Sequence, residues 1–181
     1  TAIIIFGDAS CNYFLGERDH QVKMELETAG CFFYLVIGNH ESRPDALDTM
    51  ICCYDKEVDG YSYMEQQYPH IRYLRDGGIY SINGYKTLVI GGAYSIDKWY
   101  RLQRGWRWFE DELLTTEEMN KISNEVEGQS FDLVLTHTCP LDWEPTDLFL
   151  SQIDQSTVDV SMELWMNEIK DKITYNLWLF G

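Results

Sequence analysis

Five short, continuous apolar runs each end on glycine or a polar residue, and no other feature of the sequence constrains the fold as much. Residues 3–6 run into Gly7-Asp8, 32–37 into Gly38-Asn39-His40, and 87–90 into Gly91-Gly92. Residues 133–135 run into Thr136-His137, and 177–180 into Gly181. Runs this short and unbroken predict strands covered on both faces. The C-terminal ends of such strands are where open α/β sheets hold their ligands.

The segments between the runs read as helices and turns. Val22 and Leu26 lie on a helical segment closed by Gly30, a residue suited to a helix stop. Pro44 suits the first turn of a helix that includes Ala46 and Leu47. Thr115 and Glu118 have capping-box spacing ahead of Met119, Ile122 and Val126. Trp165, Ile169 and Ile173 recur every four residues as one apolar stripe. Asn83-Gly84, between residues 79–82 and 85–90, predicts a hairpin because both residues tolerate positive φ. Parallel-type strands plus a hairpin imply mixed sheets, hence an α/β domain over residues 1–181.

The net charge of −16 disfavours general nucleic-acid binding, since phosphate backbones would be repelled. Small phosphorylated substrates stay open, because a bound divalent cation reverses the local field. Acidic clusters at residues 17–19, 110–112 and 117–118 read as solvated loops and helix starts. The longest apolar stretches, such as residues 32–37, are too short to cross a bilayer, and nothing resembles a signal peptide. Five cysteines, none spaced C-x-x-C, give neither a disulfide framework nor a zinc knuckle. A reducing, cytoplasmic setting is the expectation.

Three strand ends supply hard oxygen or imidazole donors: the Asp8 carboxylate, the Asn39 amide oxygen and the His137 imidazole. One sheet edge could gather all three, and a mixed O/N set suits manganese, iron or zinc. Singly, each has a plainer reading: Asp8 and Asn39 as turn residues, His137 as a buried hydrogen-bonded histidine. Their order and shared strand-end position favour ligation. Asn12, just after Asp8, could orient it, meet substrate, or simply form the turn. His20 and His70 read as surface residues. A Cys139 nucleophile paired with His137 is disfavoured, since residues two apart at a strand end need not face each other.

The stretch Gly38-Asn39-His40-Glu41 after an apolar strand resembles a signature of calcineurin-like metallophosphoesterases. Gly7-Asp8 resembles that family's second motif, and Thr136-His137 followed by Pro140 its fourth. The resemblance spans nearly the whole chain and implies a four-layer α/β/β/α sandwich with two mixed sheets. It implies two divalent cations that activate water for in-line attack on a phosphate mono- or diester. On this resemblance Asp8 bridges the cations, Asn39 and His137 bind the second, and His40 protonates the leaving oxygen. Glu41 becomes a support behind the ligands. Arg101 and Arg104, in the aromatic-rich segment 99–109, are either phosphate contacts or parts of a packed surface loop.

Two of the family's motifs are not in the sequence. Asp-x-His would precede Ile3, and the glycine of Gly-His-x-His matches Gly181. The expectation is therefore a fold cut at both ends, at most one well-held cation, and little or no activity in this chain alone. The expected partner is a small phosphorylated substrate or a phosphoprotein, with no membrane. A non-catalytic binding module on the same fold is the alternative. A generic nucleotide-binding domain is not supported, as no G-x-G-x-x-G or G-K-[ST] loop is present.

Overall fold

The computed structural model describes residues 1–149 and 154–181. Its strands are β1 (Ala2–Phe6), β2 (Phe32–Val36), β3 (Met50–Asp55), β4 (Gly60–Glu65), β5 (Ile71–Leu74), β6 (Gly78–Ile82), β7 (Tyr85–Ile90), β8 (Ser130–Thr136) and β9 (Thr174–Phe180). The α-helices are α1 (Glu17–Thr28), α2 (Lys98–Gln103), α3 (Thr116–Val126) and α4 (Ser161–Lys172). One sheet has the order β1-β2-β5-β4-β3 and the other β6-β7-β8-β9. Each is mixed: β1, β2 and β5 run parallel, as do β7, β8 and β9, while β3, β4 and β6 pair antiparallel.

Side-chain parity shows how the layers stack. Along β2, Phe33 and Leu35 join a cluster with Val22 and Leu26 of α1, while Tyr34 and Val36 face the other way. Those two meet Val89 of β7 and Leu135 of β8, so this second cluster lies between the sheets. Leu88, Ile90 and Val134 point outward onto Ile122 and Val126 of α3 and Trp165, Met166 and Ile169 of α4. The architecture is thus an α/β sandwich, with α1 outside one sheet and α3 and α4 outside the other. Continuous apolar runs are what such strands require, because successive side chains enter different cores.

Local signals act as their chemistry dictates. Asn83 and Gly84 take φ of 52° and 83° at the β6–β7 turn. Thr115 and Glu118 exchange both capping-box hydrogen bonds at the start of α3. Gly30, at φ 71°, follows the end of α1.

Several expectations need correction. The helix expected from Pro44 is a single 3₁₀ turn, Pro44–Ala46. Ile173 packs in the core but lies just past α4, whose stripe ends at Ile169. The runs of β1 and β9 are not covered on both faces: Ile3, Leu177, Leu179 and Phe180 are exposed, because both strands lie at sheet edges. The acidic clusters are not wholly solvated either. Asp19 is buried and accepts from the amides of Phe14 (2.9 Å) and Leu15 (2.6 Å), and Glu112 is buried as well. His20 and His70 are half-buried ties, bonded to Tyr68 and Glu27. Among the described residues no helix is long and apolar enough to cross a membrane.

The C-terminal ends of the parallel strands converge. The Gly92 amide donates to the Ile37 carbonyl at 2.8 Å, tying the end of β7 to the end of β2 across the two sheets. The His137 amide donates to Ile90 at 3.1 Å, and the Gly181 amide to His137 at 3.2 Å. All five strand ends therefore share one rim.

Candidate functional site

At the end of β1 the chain turns sharply. Gly7 takes φ 93°, Asp8 55° and Ser10 57°. Positive φ is costly for a residue with a Cβ, and Asp is among the few types that adopt it with any frequency. The turn brings the Asp8 carboxylate over the end of β2, where Oδ1 accepts from the His40 amide at 2.9 Å. Backbone contact here is too close for side chains. A Cβ on Gly7 would lie 2.2 Å from His137 Nδ1, and one on Gly38 would lie 2.2 Å from Asp8 Oδ1.

His137, at the end of β8, faces this turn from the other sheet. Its Nδ1 is 2.6 Å from the Phe6 carbonyl oxygen, which can only accept, so Nδ1 carries a proton. In the neutral ring Nε2 then presents a lone pair. That nitrogen lies 2.9 Å from Asn39 Oδ1 and 3.8 Å from Asp8 Oδ1. Asn39 Nδ2 donates to Ser95 Oγ at 3.0 Å, which turns the amide oxygen toward the imidazole. Three lone-pair donors thus converge, an arrangement that a bound cation would relieve. A ring nitrogen anchored on a backbone carbonyl is the usual support of a metal-ligating histidine. The donor set fits a hard or borderline divalent cation. Among the described residues no group of three or more His, Cys, Asp and Glu side chains is placed to hold a metal, and here the third donor is an amide.

His40 stands at the mouth of the site. Its Nδ1 lies 3.9 Å from Asp8 Oδ2 and its Nε2 3.5 Å from Asp97 Oδ1. Asp97 also takes a hydrogen bond from Arg101 Nε at 2.8 Å. An open cleft of about 300 Å³ is lined by Asp8, His40, Asp97, Arg101, Tyr13 and Trp106, among others. Arg101 is buried and engaged by Asp97 and by the Arg107 carbonyl at 3.2 Å, so it braces Asp97 at the cleft wall. Arg104 is exposed and lies over the Tyr100 ring at 4.5 Å, away from the cleft lining.

Beneath the donors lies a buried polar layer. Glu41 is buried, and its Oε1 accepts from the Gly38 amide at 2.8 Å. Burial, reinforced by the nearby Asp8 charge, pushes its carboxyl up to about 7. Asn12 is buried too: its carbonyl accepts from the Ser42 amide at 2.9 Å and its Oδ1 faces the Tyr73 hydroxyl at 3.5 Å. It joins the turn after β1 to the turn after β2 and does not line the cleft. The Ser95 amide donates to Glu112 at 3.1 Å, which fixes the hydroxyl that holds Asn39. Arg43 pairs with Asp76, whose other oxygen takes the Gly91 amide at 2.5 Å.

Asp97 and Ser95 have no counterpart among the residues singled out from sequence, and Glu112 was read only as part of a solvated acidic cluster. The signal for the first two was their place five and three residues beyond the Gly92 strand end. Cys139 is removed from the chemistry, since burial and nearby Glu144 and Glu163 raise its thiol to about 11; burial and Glu41 raise Cys11 to about 12. Thiolate is the reactive form. Brief iodoacetamide treatment at pH 8 is therefore expected to label exposed Cys52 well ahead of Cys11 and Cys139. Peptide mass spectrometry reads the order, and equal labelling of Cys139 would restore it as a nucleophile.

No known family model, curated protein or solved structure matches the chain.

Proposed function

We propose that the protein carrying this chain is a metal-dependent hydrolase of phosphate mono- or diesters, of the calcineurin-like metallophosphoesterase kind. The observation that carries this reading is the convergence of His137 Nε2 on Asn39 Oδ1 and Asp8 Oδ1, with His137 Nδ1 committed to Phe6. The two mixed sheets with helices outside and a rim of strand ends support that family's four-layer fold.

Asp8, Asn39 and His137 would hold one divalent cation, manganese, iron or zinc. The family's remaining ligands lie in motifs that the 181 residues do not contain. When bound, the cations polarise the phosphoryl oxygens and lower the pKa of water. The chain's own residues do the rest. His40, between the carboxylates of Asp8 and Asp97, is placed to pass a proton to the departing alkoxide. Arg101 holds Asp97 in that position, and Glu41 holds the backbone of the turn from below.

The test is p-nitrophenyl phosphate hydrolysis by the full-length protein. Activity is expected with manganese, to vanish in EDTA, and to fall roughly 10²- to 10⁴-fold in kcat in H40A, the usual worth of a general acid. Activity indifferent to EDTA would overturn the reading. Absence of all hydrolysis would favour the binding module.

A further inference from the structure

A second cleft, of about 500 Å³, adjoins the first and shares Tyr13, Phe14 and Trp106 with it. Its other lining residues are Arg18, Gly105 and Arg107. The walls are aromatic and the charges positive, in a chain with 30 acidic residues against 14 basic. Residues 98–107 hold four of those 14 (Lys98, Arg101, Arg104 and Arg107) and no acid. With carboxylates in twofold excess, surface arginines should find partners. Yet Arg18 lies 4.7 Å over the Phe14 ring, and among the described residues neither Arg18 nor Arg107 pairs with a carboxylate. Phe14 and Trp106 are 39% and 51% exposed beside a charged site, the first ring carrying Arg18 and the second bordered by Tyr100 and Arg104 at 5.7 Å.

Unpaired guanidinium groups beside exposed aromatic rings suit a planar ring that carries negative charge. Rings stack on aromatic side chains and on arginine planes, and the arginines also take phosphate oxygens. We propose that the paired clefts bind a nucleotide. Its base stacks against Phe14 and Trp106, its phosphoryl end lies toward Asp8 and His40, and Arg18 and Arg107 supply the positive field that draws it in. This deepens the hydrolase reading, on which the direction of the phosphoryl end rests; recognition of the base rests on the second cleft alone. A phenyl ring joined directly to the scissile phosphate would occupy the first cleft and leave the second empty.

The test separates binding from turnover by working in EDTA, where no hydrolysis is expected. Calorimetric titration of the 181-residue chain is expected to show AMP bound at least about fivefold more tightly than ribose 5-phosphate, the low end of what one stacked base contributes. Both W106A and R107A change exposed side chains and should leave the circular dichroism unchanged. W106A is expected to weaken AMP by at least about fivefold and ribose 5-phosphate little. R107A should weaken both and flatten the salt dependence. Equal affinity for AMP and ribose 5-phosphate, or AMP binding unaffected by W106A, would overturn the proposal. So would O-phosphotyrosine binding as tightly as AMP, or no AMP binding at all. Failure of p-nitrophenyl phosphate hydrolysis with AMP binding intact would sink the hydrolase reading and leave the nucleotide site standing.

Discussion

Replacing His137 with alanine is expected to abolish manganese binding by the 181-residue chain. Wild type should titrate one equivalent, read by the loss of the free-ion electron paramagnetic resonance signal. H137A should bind at least about 100-fold more weakly, since even the loss of a residue behind a ligand costs 10- to 100-fold. The argument turns on the tautomer. Phe6 can only accept, so the neutral ring must face Asn39 and Asp8 with its Nε2 lone pair. A cation at that point would take the lone pair and relieve its contact with the amide oxygen 2.9 Å away. H137A removes this donor. Unchanged affinity in H137A would remove His137 from the ligand set, and a wild-type chain that takes up no manganese would remove the centre.

The framework of this fold is written in the sequence as continuity. A strand is apolar at successive positions where it lies between two cores, as residues 32–36 of β2, 88–90 of β7 and 133–135 of β8 are. The glycines that follow are equally legible, because strands converging on one rim bring backbones closer than a Cβ allows. The β3–β4 hairpin left a weaker mark. Ile51, Tyr54 and Tyr61 are exposed; residues 50–54 run without a break but in cysteine and tyrosine as much as aliphatic residues, and GYSYME carries no such run. The site was legible only where strand ends supply its donors. Asp97 and Ser95 come from a loop, and a loop carboxylate looks the same in sequence whether it meets solvent or an imidazole. Arg101 illustrates the limit from the other side: its proximity to the site could be guessed, but its pairing with Asp97 at i, i+4 depends on α2, which is six residues long.

Gly38→Ala is expected to be among the most damaging single-methyl changes in the molecule. A Cβ there would fall 2.2 Å from Asp8 Oδ1 and 2.3 Å from Asp8 N. The second contact is with backbone, so no rotamer change relieves it, and the turn after β1 must move away from β2. That movement breaks the hydrogen bond from the His40 amide to Asp8 Oδ1 and separates Asp8 from His137. The cost should reach about 3 kcal/mol or more, as expected where a buried polar arrangement and a tight contact fail together. Gly84→Ala is the matched comparison. At φ 83° it carries backbone strain of about 1–2 kcal/mol, but nothing lies within 4 Å of its Cβ. Urea unfolding with and without manganese separates the two. Gly84→Ala should lower the midpoint yet keep the stabilisation expected from manganese in wild type. Gly38→Ala should lower it further and lose that stabilisation, because the ion's donors no longer meet. A Gly38→Ala protein that unfolds like wild type and is still stabilised by manganese would show that the rim can open without harm, and the close approach of β1 and β2 would then not be what assembles the site.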